Sequence, residues 1–233
     1  MELPILFQDE HIVAINKPHG LLVHRSPIAA DVQEFALQIL REQLQKTVYP
    51  VHRLDRKTSG VLLFTFSKEC LVNISNQFMA GTVTKKYLAI LRGHAPDSGT
   101  IDYPLLNENE KLQDAITHYR TINKSEIPYA LGNYSSLRYS LVLAEPETGR
   151  MHQLRRHFAH IMYPIIGDRP HGCNKQNRFF KETFNMDSMM LHAQELSFKH
   201  PVTNDEMIVS APLSLEFQRM LDTLMLHLPL LSL

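Results

Sequence analysis

Short apolar runs recur along the whole 233-residue sequence, and only a few segments with helical spacing lie between them. Short runs bounded by Gly, Pro, Asn or Ser are typical of β-strands, whereas an amphipathic helix repeats its apolar residues every three or four positions. A regular alternation of strands with helices would indicate a parallel sheet, but here strands mostly follow strands. The pattern therefore predicts an α+β fold with a mixed, largely antiparallel sheet and flanking helices.

The predicted elements follow these two periodicities. Strands are predicted at residues 3–7, 11–16, 21–23, 60–66, 85–91, 115–122, 139–144, 191–198 and 207–210. Helices are predicted at residues 31–46, where Asp31 is the N-cap, between Ser67 and Gly81, and at residues 151–162 and 213–226. Residues 95–114 and 123–136 contain Pro and acidic residues and are predicted to be surface loops.

The composition is that of a globular protein that buries a core, because apolar residues make up 44% of the sequence and charged residues 21%. The net charge is zero, with 24 Lys and Arg against 24 Asp and Glu, so the total charge does not support nucleic-acid binding. The charges are unevenly distributed, however, because residues 147–181 contain seven basic and two acidic side chains. This segment could present one basic face to phosphates, or could be an ordinary helix with a solvated charged side.

Several classes of protein and of site are disfavoured by what the sequence lacks. The first ten residues have no basic flank, and the apolar tail at residues 224–233 is about half as long as a membrane-spanning helix, so we expect a cytoplasmic protein. The two cysteines form no CxxC pattern, and His152, His157 and His160 lack the HExxH spacing, so we expect no metal. Neither GxGxxG nor GxxxxGK[ST] occurs, so we expect no nucleotide cofactor.

The segment from His52 to Gly60 is the most unusual in the chain. It places Asp55 between Arg53 and Arg56, in a polar turn that leads directly into a predicted apolar strand. Neighbouring cations favour the ionised form of a carboxylate, which suits a nucleophile better than a general acid. The alternative interpretation is a turn aspartate whose basic neighbours are incidental.

A second segment, residues 149–157, combines basic residues with a predicted helix. Arg155 lies beside the apolar stripe of this helix, so it should be partly buried and should need an acidic partner. Arg156 and His152 fall on a more exposed side and could contact phosphates. The alternative is an amphipathic helix with a basic solvent-facing side.

Six segments occur in a fixed order along nearly the whole chain. They are NKPHGLLVH at residues 16–24, HRLDRKTSG at 52–60, KKYLA at 85–89, GRMHQLRRH at 149–157, PIIGD at 164–168 and MMLHA at 189–193. The set resembles the signature segments of the RluA-type pseudouridine synthases. The doubled arginine at 155 and 156, with residues 115–120 and 168–172, is most similar to the tRNA pseudouridine synthase C (TruC) subgroup. Tyr163 departs from the family pattern, which has His at this position.

The resemblance implies the pseudouridine synthase fold with a central RNA-binding cleft, and an isomerase that needs neither cofactor nor metal. Asp55 would be the nucleophile, attacking either C1′ of the ribose or C6 of the base. Arg155 would form the ion pair that orients this carboxylate. Tyr87 would pack on the uracil and help to remove the C5 proton, and Leu191 would form part of the pocket wall.

The resemblance also implies how RNA would be bound. The target nucleotide would have to leave the base stack, by base flipping, and Arg53 and Arg56 would hold the adjacent phosphates. Weaker candidates for RNA contact are His52, Arg150, His152 and Arg156. The expected substrate is tRNA, at uridine 65 in its acceptor stem; ribosomal RNA, or a non-catalytic RNA-binding role, are the alternatives. We expect a monomer with a single catalytic domain over residues 1–233 and without an S4 RNA-binding domain.

Overall fold

The computed structural model describes residues 1–24 and 34–228. These residues fall into two compact units. The first unit comprises Met1–Lys85 and His192–Leu213, and the second comprises Lys86–Leu191 with the described part of Ser214–Leu233. In neither described range is any helix long and apolar enough to cross a membrane.

Twelve strands and five helices lie within the described residues. The strands are β1 (Ile5–Gln8), β2 (Ile12–Lys17), β3 (Tyr49–Pro50), β4 (Ser59–Thr65), β5 (Thr84–Arg92), β6 (Ser98–Asp102), β7 (Leu105–Leu106), β8 (Leu112–Gln113), β9 (Ile116–Ile127), β10 (Leu137–Pro146), β11 (Leu191–Lys199) and β12 (Glu206–Ser210). The helices are α1 (Ala36–Leu44), α2 (Lys68–Met79), α3 (Gln153–His160), α4 (Asn174–Phe184) and α5 (Leu215–Thr223). Helices and strands in this order confirm the α+β prediction.

The first unit contains a sheet in which β1, β2, β4 and β11 are successive neighbours, while β3 also pairs with β4 and β12 with β11. β4 and β11 are parallel, and the other strand pairs described in this unit are antiparallel. β4 is buried along its whole length, which explains why its central residues 61–64 are all apolar and do not alternate with polar ones. Ile12, Val61, Ile74 and Phe198 belong to the hydrophobic core of this unit.

The second unit contains an antiparallel sheet in the order β5, β10, β9, β6, and the short hairpin of β7 and β8. The β9–β10 ladder is the longest pairing in this unit and runs from Leu137 opposite Ile127 to Pro146 opposite Thr117. Helix α3 packs on the sheet through Phe158, which lies in the core cluster of the unit.

The predicted ends of helix α2 are confirmed. Ser67 is the N-cap, and its hydroxyl accepts a hydrogen bond from the Cys70 amide at 3.1 Å. Gly81 follows the helix with φ of +71°, a left-handed conformation that glycine adopts without steric cost.

The predicted strand at residues 21–23 is wrong. Leu22 makes an isolated bridge to Phe35, and the carbonyls of Leu22 and Val23 accept hydrogen bonds from the amides of Ala36 and Leu37 at 2.8 and 3.0 Å. The segment therefore satisfies the free amides at the start of α1 and does not extend the sheet. The predicted N-cap, Asp31, lies outside the described residues, and α1 begins at Ala36.

The two predicted loops, residues 95–114 and 123–136, contain regular structure. β6, β7 and β8 lie in the first, and β9 continues into the second as far as Ile127. Helix α4 was not predicted at all, because its buried face consists of Gln176, Phe180 and Phe184, an apolar stripe too sparse to register as a helical pattern.

Candidate active site

Asp55 lies in the first unit, in a turn between β3 and β4. The Thr58 amide donates to the Asp55 carbonyl at 3.0 Å, which closes the turn. Leu54 is buried and anchors the segment, whereas Arg53 and Arg56 are exposed and Asp55 is partly exposed. The turn therefore presents one carboxylate beside two accessible guanidinium groups.

Lys17, at the end of β2, contacts this turn from the protein interior. It was not among the predicted site residues. Its side chain is fully buried, and its Nζ donates to the carbonyls of Leu21, Pro18 and Arg56 at 2.7, 3.0 and 3.2 Å. Burial lowers the pKa of Lys17 to about 7, while the negative charge of Asp55 acts in the opposite direction. A fully buried lysine is rare, but no sequence signal identified it, because Lys17 follows the polar Asn16 at the end of β2 and directly precedes a predicted turn.

A second link joins the Asp55 turn to the loop that precedes α1. The Gly20 amide donates to the Arg56 carbonyl at 2.8 Å, and Arg56 Nε donates back to the Gly20 carbonyl at 2.9 Å. Arg56 Nε therefore stabilises the turn, whereas the two Nη atoms can donate to a ligand.

The residues after the turn fix the parallel register of β4 and β11. Ser59 lies opposite His192 and Gly60 opposite Ala193. A Cβ atom on Gly60, which has φ of +110°, would lie 2.1 Å from the Ala193 carbonyl oxygen, so only glycine permits this approach. Ser59 and Gly60 of the Asp55 segment thus meet His192 and Ala193 in the first unit.

His192 is fully buried, and one tautomer satisfies its contacts with Ala211 and Ser59. Its Nε2 lies 3.2 Å from the Ala211 carbonyl, which can only accept, so Nε2 carries the proton. Nδ1 then accepts from the Ser59 hydroxyl at 2.9 Å. Burial lowers the pKa of His192 to about 4, in agreement with a neutral ring.

This histidine predicts a pH dependence of stability. Between pH 6.5 and 4 the unfolded chain binds a proton at residue 192 that the folded protein does not, so the free energy of unfolding should fall as the pH is lowered through this window. The expected contribution is on the order of 3 kcal/mol. His192→Gln keeps a donor and an acceptor but cannot titrate, so urea denaturation across this range should give a flatter curve than for the wild type.

The exposed His227 provides the control for this measurement. His227→Gln should retain the wild-type slope of unfolding free energy against pH. Parallel curves for His192→Gln and the wild type would show that His192 is not held neutral in the folded protein.

His52, the first residue of the segment from His52 to Gly60, stabilises the fold of the first unit. The Leu63 amide donates to His52 Nε2 at 3.2 Å, and the ring stacks on Phe78 with centroids 5.4 Å apart. Burial lowers the pKa of His52 to about 4. The ring is therefore neutral at pH 7, and its Nε2 cannot donate to a phosphate.

In the second unit, Arg155 is buried on α3 and has an acidic partner, as its position predicted. Its Nε and Nη2 donate to the two carboxylate oxygens of Asp168 at 2.9 and 2.8 Å, and the two side chains are 6% and 1% exposed. This bidentate geometry is the strongest form of an arginine–carboxylate pair. The predicted pair of Arg155 with Asp55 stays a proposal.

Helix α4 holds the segment that carries Asp168. Asn177 donates from Nδ2 to the Asp168 carbonyl at 2.7 Å and accepts from the Gly167 amide at 2.9 Å. A Cβ atom on Gly167 would lie 2.0 Å from the Ser188 carbonyl oxygen, so this position also requires glycine. The Gly-Asp sequence is therefore positioned by a helix that sequence reasoning missed.

Tyr87 and Leu191 belong to the same hydrophobic cluster as the buried side of α3. Tyr87 lies on β5 opposite Ala144 and is partly buried, and Leu191 is almost fully buried. Leu154, next to Arg155, lies in this cluster too. Three of the predicted features, namely Tyr87, Leu191 and the helix of Arg155, are thus brought together in the second unit.

The remaining predicted RNA contacts surround the start of α3. Arg150 Nε donates to the Asp114 carbonyl at 2.9 Å, and Arg156 Nη1 donates to the Leu106 carbonyl at 2.8 Å. His152 Nδ1 lies 3.0 Å from His171 Nε2. Each of these side chains therefore forms at least one hydrogen bond within the second unit.

Gln153 was not predicted and fixes the start of α3. Its Oε1 accepts from the Arg150 amide and the Thr148 hydroxyl, and its Nε2 donates to the Ile116 carbonyl and the Thr117 hydroxyl.

Among the residues that the structure describes, no three His, Cys, Asp or Glu side chains converge as ligands of a metal ion would.

Comparison with known proteins places this geometry in a family. The model of the RNA pseudouridylate synthase family matches residues 11–160. The tRNA pseudouridine synthase C of Vibrio parahaemolyticus is 42% identical over 231 residues, which is 94% of each chain, and that of Haemophilus ducreyi is 45% identical over 228 residues, again 94% of each. The solved structure of human RNA pseudouridylate synthase domain containing 4 has a TM-score of 0.73 at 26% identity, covering 97% of this chain and 94% of that one.

The matched region contains the Asp55 turn, Tyr87 and the Arg155 helix, so the match includes the residues that carry the proposed chemistry. Agreement extends beyond it, because the curated relatives align along nearly the whole chain. The chain belongs to the RNA pseudouridylate synthase family and is a pseudouridine synthase, an isomerase.

Proposed function

We propose that the protein converts uridine 65 of tRNA to pseudouridine, with Asp55 as the nucleophile. The relatives that are 42% and 45% identical are named tRNA pseudouridine synthase C, which supports tRNA as the substrate. The sequence features shared with that subgroup support the position.

The observation that carries the proposal is the fixed position of the Asp55 turn. Lys17 binds the Arg56 carbonyl from the interior, and the register of Ser59 with His192 holds the following strand. A carboxylate on a turn supported from both sides loses little entropy when it reacts, which is the requirement for a preorganised nucleophile.

The proposed reaction is balanced without any external reactant. The Asp55 carboxylate attacks C1′ or C6, the bond between C1′ and N1 breaks, and the uracil turns so that C5 faces C1′. The bond between C1′ and C5 then forms, C5 loses its proton with help from the Tyr87 hydroxyl, N1 gains a proton, and the carboxylate is released. Because the product is an isomer of the substrate, neither an oxidant nor a group donor is required.

A paired uridine must leave the helix before a carboxylate can reach C1′ or C6, at a cost of about a few kcal/mol. The exposed Arg53 and the Nη atoms of Arg56, which have no hydrogen-bond partner among residues 1–24 and 34–228, are proposed to bind the adjacent phosphates and offset that cost. Arg150, His152 and Arg156 are proposed to contribute less, because part of each side chain already holds the second unit together.

The test uses purified protein and tRNA transcripts labelled with tritium at C5 of uridine. We expect release of one tritium per tRNA without added cofactor, because forming the C5 bond expels that proton. A transcript with cytidine at position 65 should release none. Release from that transcript would overturn the position, and release from ribosomal RNA alone would overturn the substrate.

A further inference from the structure

Helix α4 presents a basic surface that the proposed chemistry does not use. Arg178 and Lys181 lie one turn apart on this helix, are exposed, and line a cavity of about 370 Å³ together with Arg169. The cavity wall also contains one acidic side chain, Asp187. We call Arg169, Arg178 and Lys181 the α4 basic surface.

The charges of the α4 basic surface are poorly compensated. Arg169 and Asp187 form a single contact of 3.3 Å in which both side chains are more than 60% exposed, so this pair is weak. Arg178 and Lys181 form no ion pair within the described parts of the chain. Like charges one helical turn apart repel each other weakly, so a bound anion would relieve this repulsion.

The helix that carries this surface is held in place, because the opposite face of α4 is packed against the second unit. Phe180 is fully buried, and Gln176 accepts a hydrogen bond from the buried Tyr139 hydroxyl at 2.9 Å. Asn177, on the same helix, holds the Gly167 amide and the Asp168 carbonyl. The helix that carries Arg178 and Lys181 therefore also positions the partner of Arg155.

We propose that the α4 basic surface binds the phosphate backbone of the substrate RNA, outside the pocket for the uridine. This inference rests on the proposed function and deepens it. Arg178, Lys181 and the weakly paired Arg169 line one cavity, and guanidinium and ammonium groups suit the oxygens of phosphates. Such contacts position the RNA but do not read its bases.

The test compares two variants that remove the same charge, both in the Asp55→Asn background so that RNA is not consumed. Arg178→Gln/Lys181→Gln should raise the Kd for a tRNA transcript about tenfold at 0.1 M salt and reduce the slope of log K against log salt by about 2. Lys68→Gln/Lys199→Gln, which changes two exposed lysines of the first unit, should leave both quantities near their starting values. Arg178→Lys/Lys181→Arg, which keeps both charges, should restore binding.

A phosphate contact also predicts that the loss is independent of sequence. The Kd for a transcript with cytidine at position 65 should rise by the same factor in the Arg178→Gln/Lys181→Gln protein. The proposal is overturned if this protein binds like the Lys68→Gln/Lys199→Gln control, if the loss is confined to the uridine-65 transcript, or if the parent protein binds RNA without salt dependence. Tritium release by the wild-type protein is measured separately, so a failure of the proposed function is read from activity and a failure of this inference from binding.

Discussion

Asp55→Asn is expected to abolish tritium release from C5-labelled tRNA, with a loss of about a thousandfold or more. The amide has the same shape as the carboxylate but is not a nucleophile at this step. The turn should survive, because its hydrogen bond runs from the Thr58 amide to the backbone carbonyl of residue 55 and not to the side chain. RNA binding should therefore persist while turnover is lost.

Asp205 provides the matched control for this substitution. It is an exposed aspartate of the same unit, and its carbonyl, not its side chain, accepts from the His200 amide. Asp205→Asn should retain wild-type release of tritium in the same assay. If Asp55→Asn also retained it, the carboxylate of Asp55 would have no part in the mechanism.

Asp168→Asn is expected to lower the free energy of unfolding by about 3–5 kcal/mol. An amide nitrogen cannot accept from a guanidinium, so one of the two charge-assisted hydrogen bonds is lost, and the buried Arg155 also loses the negative charge of Asp168. Urea denaturation at pH 7 measures the change.

The exposed pair of Arg169 and Asp187 is the control, because it has the same chemistry without the burial. Asp187→Asn should change the free energy of unfolding by less than about 1 kcal/mol. Equal effects of the two substitutions would mean that burial does not determine the strength of the Arg155–Asp168 pair. A loss of activity in Asp168→Asn that exceeds its unfolded fraction would further indicate that Asp168 positions Arg155 for catalysis.

Features that depend on neighbouring residues along the chain could be predicted from the sequence. The α+β class, most strands, and the ends of α2 at Ser67 and Gly81 follow from periodicity and capping, which are local. Helical spacing also placed Arg155 beside an apolar stripe, which predicted that this side chain would be partly buried and would need an acidic partner.

Elements without an apolar signal could not be predicted. β6 and the distal part of β9 are largely polar, and they are strands because antiparallel neighbours satisfy their amides and carbonyls. The predicted strand at residues 21–23 failed for the related reason that its carbonyls accept from the first amides of α1.

Most strands, the family resemblance and the candidate nucleophile could be identified from residue types at fixed spacings along the chain. The folded structure was needed to show that Asp168 pairs with Arg155, that Lys17 supports the Asp55 turn, and that His192 is neutral. Each of these depends on which side chains meet after folding, on their burial and on the direction of each hydrogen bond. Those quantities cannot be read from residue types and their local spacing, because they depend on contacts between residues far apart in the chain.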